Sequence, residues 1–395
     1  MPSASPSPWL RLTAIGAAAA TLLAVVSGAA SLGAAHELIS ALALPPLVAI
    51  AVAAWLGHRQ LLAPALVSIA LFGAAALITT PGLHLAAAAV AFASTLVLTA
   101  LVHRGETAPL GSLRDYVALT KPRIMTLLLL TGICGMFVGA RGVPPLGDLA
   151  ALIVGLALAC GGASALNHVL DRDIDSLMGE RTRARPVTSG RISASYALEF
   201  GLALSALSFV LLAGLVNALT AALALVGNLF YVLVYTRWLK RTTPQNIVIG
   251  GAAGAVPPLV GWAAATGNLT VPALFLFVIV FFWTPPHFWA LALLIKRNYA
   301  DAGIPMLPVV RGERETVKQI VLYSVILVGV TVVPFLWGTL GLVYLVAALA
   351  LGAGFIWLAV QLARRTTPKR ASLLFHSSLL YLALLFIAAA VDPIV

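Results

Sequence analysis

The stretch that decides the fold class covers residues 195–236 and has the sequence SYALEFGLALSALSFVLLAGLVNALTAALALVGNLFYVLVYT. Its only charged residue is Glu199, and Asn217 lies at the boundary between two apolar runs of about twenty residues each. A helix of that length crosses the hydrocarbon core of a bilayer, which is about 30 Å thick. The stretch therefore predicts two consecutive membrane-spanning helices.

Apolar runs of the same size occur along the whole chain. Four lie in the first hundred residues and nine follow, at 10–34, 41–57, 62–80, 83–102, 124–141, 148–168, 195–214, 217–236, 246–264, 270–292, 318–336, 338–361 and 370–391. We therefore predict an all-α, polytopic membrane protein. A four-helix transmembrane unit of unknown role, residues 1–110, precedes a nine-helix bundle, residues 111–395, and the polar stretch 104–120 holds the boundary.

The overall composition supports the same class. Of 395 residues, 24 are Lys or Arg and 13 are Asp or Glu, so charged residues make up 9% of the chain, whereas a soluble domain has about 25%. The hydrophobic fraction is 61% and the mean hydropathy is +1.03. These values exclude soluble, disulfide-rich secreted and disordered proteins. Cys134 and Cys160 lie within apolar runs, which argues against disulfide or thiolate–metal chemistry.

The distribution of basic residues predicts the orientation in the membrane. The net charge is +11, and because the charges lie in short runs between apolar stretches, the expected partner is a lipid bilayer and not a nucleic acid. Passing the chain through thirteen spans places every Lys and Arg except Arg141 at or near one side. Since basic loops stay in the cytoplasm, we expect a multi-pass protein of the bacterial plasma membrane with a cytoplasmic N-terminus.

An acidic motif follows the sixth predicted span. In NHVLDRDID, residues 167–175, the side chains of Asn167, Asp171 and Asp175 are spaced by four. If the helix continues, they line one face over roughly 12 Å, while Asp173 points nearly the opposite way. Two carboxylates and an amide suit Mg²⁺, which usually also takes waters and substrate phosphates. The alternative is a solvated loop in which Asp and Arg side chains pair with one another.

Basic segments surround this motif and suit phosphate oxygens, because guanidinium and ammonium groups donate charge-assisted hydrogen bonds. They are RTRARP at 181–186, TKPR at 120–123 and YTRWLKR at 235–241. The alternative for most individual residues is anchoring at the positive side of the membrane.

A second polar segment lies in the tenth predicted span, where WTPPHFW at 283–289 places two prolines and His287 in an apolar helix. An ionisable group inside a membrane usually marks function, so His287 is a candidate for substrate binding. The alternative is a helix-packing histidine bonded to a carbonyl. The segment KRNYAD at 296–301 follows. Asp301 is the only acid between Glu199 and Glu313, which makes it, with Asn298, the candidate for a further metal ligand.

The acidic motif resembles the first aspartate-rich motif of the intramembrane aromatic prenyltransferase superfamily. Within it, the chain is similar to the protoheme IX farnesyltransferases, or heme O synthases. The narrower likeness rests on LTKPRI (119–124), DRDID (171–175), RTRARP (181–186), TPQNIVIGG (243–251) with prolines 257 and 258, PHFWALA (286–292) and AGIPMLPVV (302–310).

The resemblance implies farnesyl diphosphate and protoheme IX as substrates, heme O for terminal oxidase assembly as product, Mg²⁺ as cofactor and a cytoplasmic active site. Asp171 and Asp175 are then the catalytic carboxylates, and His287 is the candidate contact for protoheme. The implied metal ligands are Asn167, Asp171, Asp175, Asp301 and Asn298. The implied diphosphate contacts are Lys121, Arg123, Arg181, Arg185, Lys240, Arg241 and Lys296.

The chain departs from the family pattern at two places. The family usually has an Asp before the residue that aligns with Tyr299, and this chain has Asn298, which would bind Mg²⁺ more weakly. One residue more than usual lies between Met178 and Arg181.

The resemblance does not reach residues 1–110. This unit places His36 and His84 near the outer face and His58 and His103 near the inner face. It faintly resembles half of a heme A synthase, the enzyme that acts next on the product, which suggests such an enzyme as a partner. The alternative is that the histidines are interfacial residues at helix ends.

Two rival functions remain at this level. The first is a prenyltransferase that acts on a quinone precursor or a chlorin. The second is a transporter, which would carry ionisable residues near the midplane of several helices. The charges of this chain instead cluster at one face.

Overall fold

The computed structural model describes residues 7–29, 34–58, 61–77, 81–103, 109 and 111–395. Within these residues every regular element is helical, which confirms the predicted all-α class. By length and composition, eleven of the described helices can cross a membrane, so the chain is a polytopic membrane protein. Residues 104–108 and 110, where we placed the boundary between the two units, lie outside the described residues.

The helices are numbered in chain order. The N-terminal unit contains α1 (Pro8–Ala29), α2 (Ala34–Gly57), α3 (Leu62–Leu77) and α4 (Pro81–His103). The second unit begins with α5 (Leu113–Thr120), α6 (Pro122–Ala140), α7 (Leu146–Leu170), α8 (Arg172–Asp175), α9 (Glu180–Arg183), α10 (Ala194–Leu215) and α11 (Ala218–Leu229). A π-helical stretch (Phe230–Leu239) joins α11 to α12 (Lys240–Thr242). The remaining helices are α13 (Asn246–Thr266), α14 (Val271–Leu294), α15 (Lys296–Asp301), α16 (Leu307–Val310), α17 (Gly312–Leu336), α18 (Leu342–Arg364) and α19 (Pro368–Val391).

Within the described residues each predicted span overlaps a helix, but not every helix has the length of a span. In the described part of the chain, α3 has 16 residues and the apolar part of α4 is Val90–His103. The total of thirteen spans and the cytoplasmic position of the N-terminus therefore stay predictions.

The N-terminal unit is packed against the larger bundle. Helix α4 contacts α1 and α3 of its own unit, and it also packs along α10. The two units that we proposed from composition thus share an interface, and division into 1–110 and 111–395 remains a proposal.

Glycines let α13 approach its neighbours closely. A Cβ on Gly261 would lie 1.8 Å from the carbonyl oxygen of Gly132 on α6, and a Cβ on Gly251 would lie 3.0 Å from Thr284 on α14. A Cβ on Gly250 would collide with the ring of Tyr235. Small residues allow such contacts between membrane helices, and here they bring α6, the π-helical stretch and α14 around α13.

The largest core cluster extends from the middle of the bundle to the segment after α7. It contains Trp289, Phe355 and Phe386, each no more than 2% exposed, and it also includes Ile174 and Met178. Ile174 lies within the acidic motif and Met178 follows it, and both are buried in this cluster. The end of the motif is therefore held against the helix bundle and not left as a solvated loop.

Candidate active site

The acidic motif lies at the end of α7 and in the short helix α8. Asn167, Asp171 and Asp175 are 3%, 1% and 0% exposed, whereas Asp173 is exposed. The backbone changes direction slightly at Asp171, with φ −91° and ψ 2°, yet the amide of Asp175 still donates to the carbonyl of Asp171 at 2.8 Å. The helical spacing therefore continues through the motif and places the three side chains on one buried face.

Each side chain of this face is paired with a cation from another part of the chain. Lys121 Nζ donates to Asn167 Oδ1 at 2.8 Å, and Lys240 Nζ donates to Asp171 Oδ2 at 2.5 Å. Arg185 Nη1 lies 2.6 Å from both oxygens of Asp175. These are the pairs in which the structure brings the predicted metal ligands and predicted diphosphate contacts together.

The amide of Asn167 links two parts of this face. Its Nδ2 donates to Asp171 Oδ2 at 2.8 Å and to Thr236 Oγ1 at 3.1 Å. The π-helical stretch thus brings Thr236 to the acidic motif. Lys240, the first residue of α12, follows the stretch directly and reaches the same motif. Thr236 is 0% exposed and was not predicted from the sequence.

The conformation of the junction between α5 and α6 positions Lys121. Lys121 has φ 50° and ψ 58°, a left-handed conformation that ends α5, and Pro122 begins α6. Burial lowers the pKa of Lys121 to about 7, with Arg185 and Lys240 adding to the shift. An anion bound beside it would favour the charged form again, because an opposite charge stabilises the ammonium ion.

Arg241 and Asp173 form a bidentate ion pair at the rim of the site. Arg241 donates to both carboxylate oxygens of Asp173, at 2.7 and 2.8 Å, and to the carbonyl of Leu170 at 2.6 Å. The hydrogen bonds from Arg241 lower the pKa of Asp173 to about 2. In the described structure this predicted diphosphate contact therefore also joins α12 to the end of α7.

The donor set fits Mg²⁺. Asp171 Oδ1 is buried and accepts no hydrogen bond in the described structure, although Arg241 Nη2 lies 3.9 Å away. It can therefore serve as an oxygen ligand without losing a hydrogen bond. The described residues contain no group of three His, Cys, Asp or Glu side chains that could enclose a metal. Two carboxylates and an amide match the preference of Mg²⁺ for few protein oxygens and for substrate phosphates.

Four of the predicted residues are placed away from this buried face. Arg123 and Arg181 are exposed, and Lys296 donates to Glu313 at 3.3 Å. Asp301 is exposed at the end of α15, because the buried side chain of this short helix is Tyr299. Residues two positions apart on a helix point nearly opposite ways.

Asn298 contacts the loop that follows the acidic motif. Its Nδ2 donates to the carbonyl of Met178 at 2.5 Å, and a Cβ on Gly179 would lie 2.7 Å from the same nitrogen. Gly179 has φ 99°, a conformation that favours glycine. Asn298 is thus positioned as an anchor for the segment between α8 and α9.

His287 is buried in α14 among aromatic rings. Its ring stacks on Trp283 with a centroid distance of 4.3 Å and on Phe375 of α19 at 4.7 Å. Its Nδ1 lies 2.6 Å from Ser378 Oγ. Its surroundings fit a packing histidine as well as a substrate contact, so both interpretations of His287 stay predictions.

His168 is a further buried polar residue that the sequence did not single out. It is 2% exposed, and neither of its ring nitrogens has a hydrogen-bond partner in the described structure. On α7 it directly follows Asn167, and helical spacing puts it about 60° from Asp171. In the sequence, the signal for His168 is its position next to Asn167 in the acidic motif. This signal does not single it out, because a histidine beside a polar residue is common at helix ends.

The geometry can be compared with known proteins. The UbiA prenyltransferase family matches residues 128–387. The chain belongs to the UbiA prenyltransferase family. This finding confirms the resemblance, and its extent agrees with the location of the candidate site in the larger helical bundle.

The curated relatives of this UbiA chain are protoheme IX farnesyltransferases. That of Symbiobacterium thermophilum is 54% identical over 281 residues, which is 71% of this chain and 94% of the relative. That of Gloeobacter violaceus is 52% identical, covering 72% of this chain and 93% of the relative. The Thermus thermophilus protein is 52% identical over 74% of this chain, and the matched part is 47% of that longer relative.

Solved UbiA structures show the same fold. A structure described for digeranylgeranylglyceryl phosphate synthase has a TM-score of 0.60 at 19% identity and covers 71% of this chain and 98% of its own. A UbiA homologue from Archaeoglobus fulgidus, bound to DMAPP and Mg²⁺, has a TM-score of 0.50 at 18% identity and covers 70% of this chain and 99% of its own.

Proposed function

We propose that this chain transfers the farnesyl group of farnesyl diphosphate to a vinyl group of protoheme IX and so makes heme O. The observation that carries the proposal is the interleaving of acidic and basic side chains on one buried face. Lys121, Lys240 and Arg185 are available for diphosphate oxygens, and Asp171 and Asp175 are available for a divalent metal. The matches to the two curated relatives that support this substrate pair cover 94% and 93% of the length of those relatives.

The buried face also gives a reason for binding a diphosphate with its metal. When a bound anion keeps Lys121 in its ammonium form, Lys121, Lys240 and Arg185 carry three positive charges. Asp171 and Asp175 carry two negative charges, so the set then has an excess of one positive charge. A prenyl diphosphate carries about three negative charges near neutral pH. With one Mg²⁺ it retains one negative charge, which matches the excess on the protein.

The basic side chains stabilise the leaving group in the proposed reaction. The allylic C–O bond breaks and its electron pair stays on the diphosphate, where Lys121, Lys240 and Arg185 donate hydrogen bonds. Asn167, Asp171 and Asp175 would hold Mg²⁺, which supplies further charge neutralisation when bound. Preorganised donors act strongly in such a site, because little water is present to screen them.

The acceptor half of the reaction forms the new carbon–carbon bond. The π electrons of the protoheme vinyl group attack the allylic carbon, water adds to the resulting cation on the porphyrin side, and one proton is released. Tyr231 and Tyr235 stack with a centroid distance of 5.6 Å on the helix that carries Lys240. Their ring faces suit an allylic cation, since aromatic rings attract cations through their electron-rich faces.

The cofactor and the membrane orientation belong to the same proposal. Support for Mg²⁺ comes from the buried Oδ1 of Asp171, which accepts no hydrogen bond in the described structure, and from the metal bound to the Archaeoglobus fulgidus homologue. The bias of basic residues supports a cytoplasmic position for the site. We also propose residues 1–110 as a separate transmembrane extension, with a heme A synthase as a candidate partner.

The direct test supplies labelled farnesyl diphosphate to membranes that contain this chain in a host without heme O. Protoheme, a hydroxybenzoate and a chlorin are offered in separate reactions, and products are identified by mass. We expect label in heme O when protoheme is present and its loss on chelation of divalent metals. Prenylated hydroxybenzoate or chlorin without heme O would refute the proposed acceptor.

A further inference from the structure

His287, in the aromatic cluster between α14 and α19, is a buried polar residue that the proposed reaction steps leave unused. His287 lies seven residues before the end of α14 at Leu294, which corresponds to a depth of about 10 Å along the helix. Its ring is clamped between Trp283 and Phe375, with interplanar angles of 17° and 23°. A polar side chain buried this far inside a membrane bundle is costly and is therefore a candidate for function.

The hydrogen bonds around Ser378 assign the tautomer of His287. Ser378 Oγ donates its single proton to the carbonyl of Phe375 at 2.6 Å. It must therefore accept from His287 Nδ1, which lies 2.6 Å away. The proton of the neutral imidazole is then on Nδ1, and Nε2 carries an unshared electron pair.

The ring is also held in place independently of Ser378 Oγ. Trp283 Nε1 donates to the carbonyl of Ser378 at 2.8 Å, which fixes α14 against α19 at the same level. The side-chain hydrogen bond of the His287 ring in the described structure is the one between Nδ1 and Ser378 Oγ, and the backbone of Phe375 also contacts the ring. A histidine with a committed Nδ1–H, a locked ring plane and an available Nε2 has the arrangement typical of metal-ligating histidines.

The surroundings favour the iron of a porphyrin over a hydrated metal ion. The aromatic neighbours, Trp283, Phe375 and Phe288, offer no oxygen ligands for a hard cation such as Mg²⁺. Neutral imidazole is a common axial ligand of heme iron. Because the rings of Trp283 and Phe375 lie nearly parallel to the imidazole, their edges would face a porphyrin bound at Nε2.

Helix α13 packs against both the helix that carries His287 and the π-helical stretch beside the candidate active site. Gly250 of that helix packs against Tyr235, which lies one turn before Lys240, and the adjacent Gly251 packs against Thr284, which lies one turn before His287. Because neither glycine has a side chain, the neighbouring helices approach the backbone of α13 closely at this level. A planar substrate held at His287 is thus near the side of the bundle that carries the acidic and basic face.

We propose that Nε2 of His287 is an axial ligand to the iron of the protoheme substrate and fixes where its vinyl group is presented. This proposal rests on the proposed function. It makes His287 a substrate-binding residue that acts through the iron, while the bond-forming atoms are at the periphery of the macrocycle.

The first experiment titrates ferric protoheme into the purified full chain in nanodiscs and records the Soret band. Wild type is compared with His287→Ala and with His376→Ala, which changes the exposed histidine that follows Phe375 on α19. We expect a Soret shift for wild type and His376→Ala, and loss of the shift in His287→Ala. An unchanged Soret shift in His287→Ala would overturn the proposal.

The second experiment separates iron ligation from a packing role. Binding of iron-free protoporphyrin IX is followed by its fluorescence. We expect His287→Ala to weaken protoheme binding by at least roughly tenfold while leaving protoporphyrin IX binding within about twofold. Equal weakening for both compounds would show a structural role and refute the ligand assignment.

Chemical rescue guards against a variant that fails to fold. In His287→Gly, added imidazole should restore the wild-type Soret position, and Ser378→Ala should weaken the shift without abolishing it, because Nδ1 loses its acceptor. If the iron binds elsewhere, imidazole should not change the Soret band of His287→Gly, and Ser378→Ala should shift the band as wild type does. Either result would contradict the proposal. Wild type that shows the Soret shift but makes no heme O would refute the proposed function and leave the His287 ligation intact.

Discussion

Replacing Asp171 by Asn tests the most informative buried pair of the site. Asp171 is 1% exposed, Lys240 is 9% exposed, and their charged atoms are 2.5 Å apart. Removing one partner leaves the Lys240 charge without its counter-ion, which costs about 3–5 kcal/mol in unfolding free energy. Loss of the proposed metal ligand should separately lower kcat by at least about 100-fold, or about 2.7 kcal/mol.

A double variant separates these two effects. Asp171→Asn combined with Lys240→Met removes both charges, and neutral replacement of a whole buried pair is often nearly neutral for stability. We expect the double variant to recover most of the lost thermal stability in detergent but none of the lost farnesyl transfer. The assay is incorporation of labelled farnesyl into heme O, normalised to folded protein.

Asp173→Asn is the matched control within the same motif. The Asp173 side chain is 62% exposed and pairs with Arg241 at the rim, so its loss should cost less than about 1 kcal/mol and leave transfer within a few-fold of wild type. Near wild-type transfer by the double variant would refute the role of Asp171. Equal inactivity of Asp173→Asn would show that the motif acts through its overall charge and not through the buried face.

The remaining predictions concern packing, the loop anchor and the outlying carboxylate. Gly261→Ala should lower the thermal unfolding temperature strongly, because its Cβ would meet a backbone oxygen at 1.8 Å, whereas Gly254→Ala, with nothing within 4 Å, should be neutral; equal stability of the two would contradict the packing. Asn298→Asp should reduce transfer, because a carboxylate cannot donate to the Met178 carbonyl; a gain in transfer or Mg²⁺ affinity would instead favour metal ligation. Asp301→Asn should leave the Mg²⁺ dependence of transfer unchanged, since Asp301 is exposed, and a raised Mg²⁺ requirement would show that it is a ligand.

The fold class and the acidic face could be predicted because both depend on local periodicity. Apolar runs of membrane length identify helices without knowledge of their neighbours, and the spacing of Asn167, Asp171 and Asp175 places them together on any helix. The prediction that Asp173 points nearly the opposite way agrees with its exposed side chain, which pairs with Arg241 at the rim.

The partners of that face could not be predicted from spacing. Lys121 lies 46 positions from Asn167, and Lys240 lies 69 positions from Asp171, so their contacts depend on how distant helices pack. The basic residues of one loop look alike in sequence, yet Arg185 is paired with Asp175 whereas Arg181 is exposed. A short helix and a tight loop decide between them.

In the segment 296–301, the rarity of acidic residues predicts a role for Asp301, but the helix geometry decides which side chain is buried. Asp301 was singled out because few acids are nearby in sequence, but the structure buries Tyr299 and turns Asp301 outward. Burial of the Tyr299 ring raises the pKa of its hydroxyl to about 12, so that side chain is a neutral hydrogen-bonding group at neutral pH. Apolar burial of the aromatic ring thus sets the orientation of α15.

The paired charges are better explained by substrate exchange than by stability. Buried ion pairs such as Lys240–Asp171 and Arg185–Asp175 lose hydration that their attraction barely repays, and apolar residues of the same size would often stabilise a fold at least as well. Before substrate binds, each cation satisfies a carboxylate that would otherwise be buried alone. When a diphosphate and its metal enter, the cations can turn to phosphate oxygens while Asp171 and Asp175 turn to the metal. Neither Asp171 nor Asp175 then has to be buried without a cation at any stage, which lowers the cost of moving a highly charged head group into an apolar bundle.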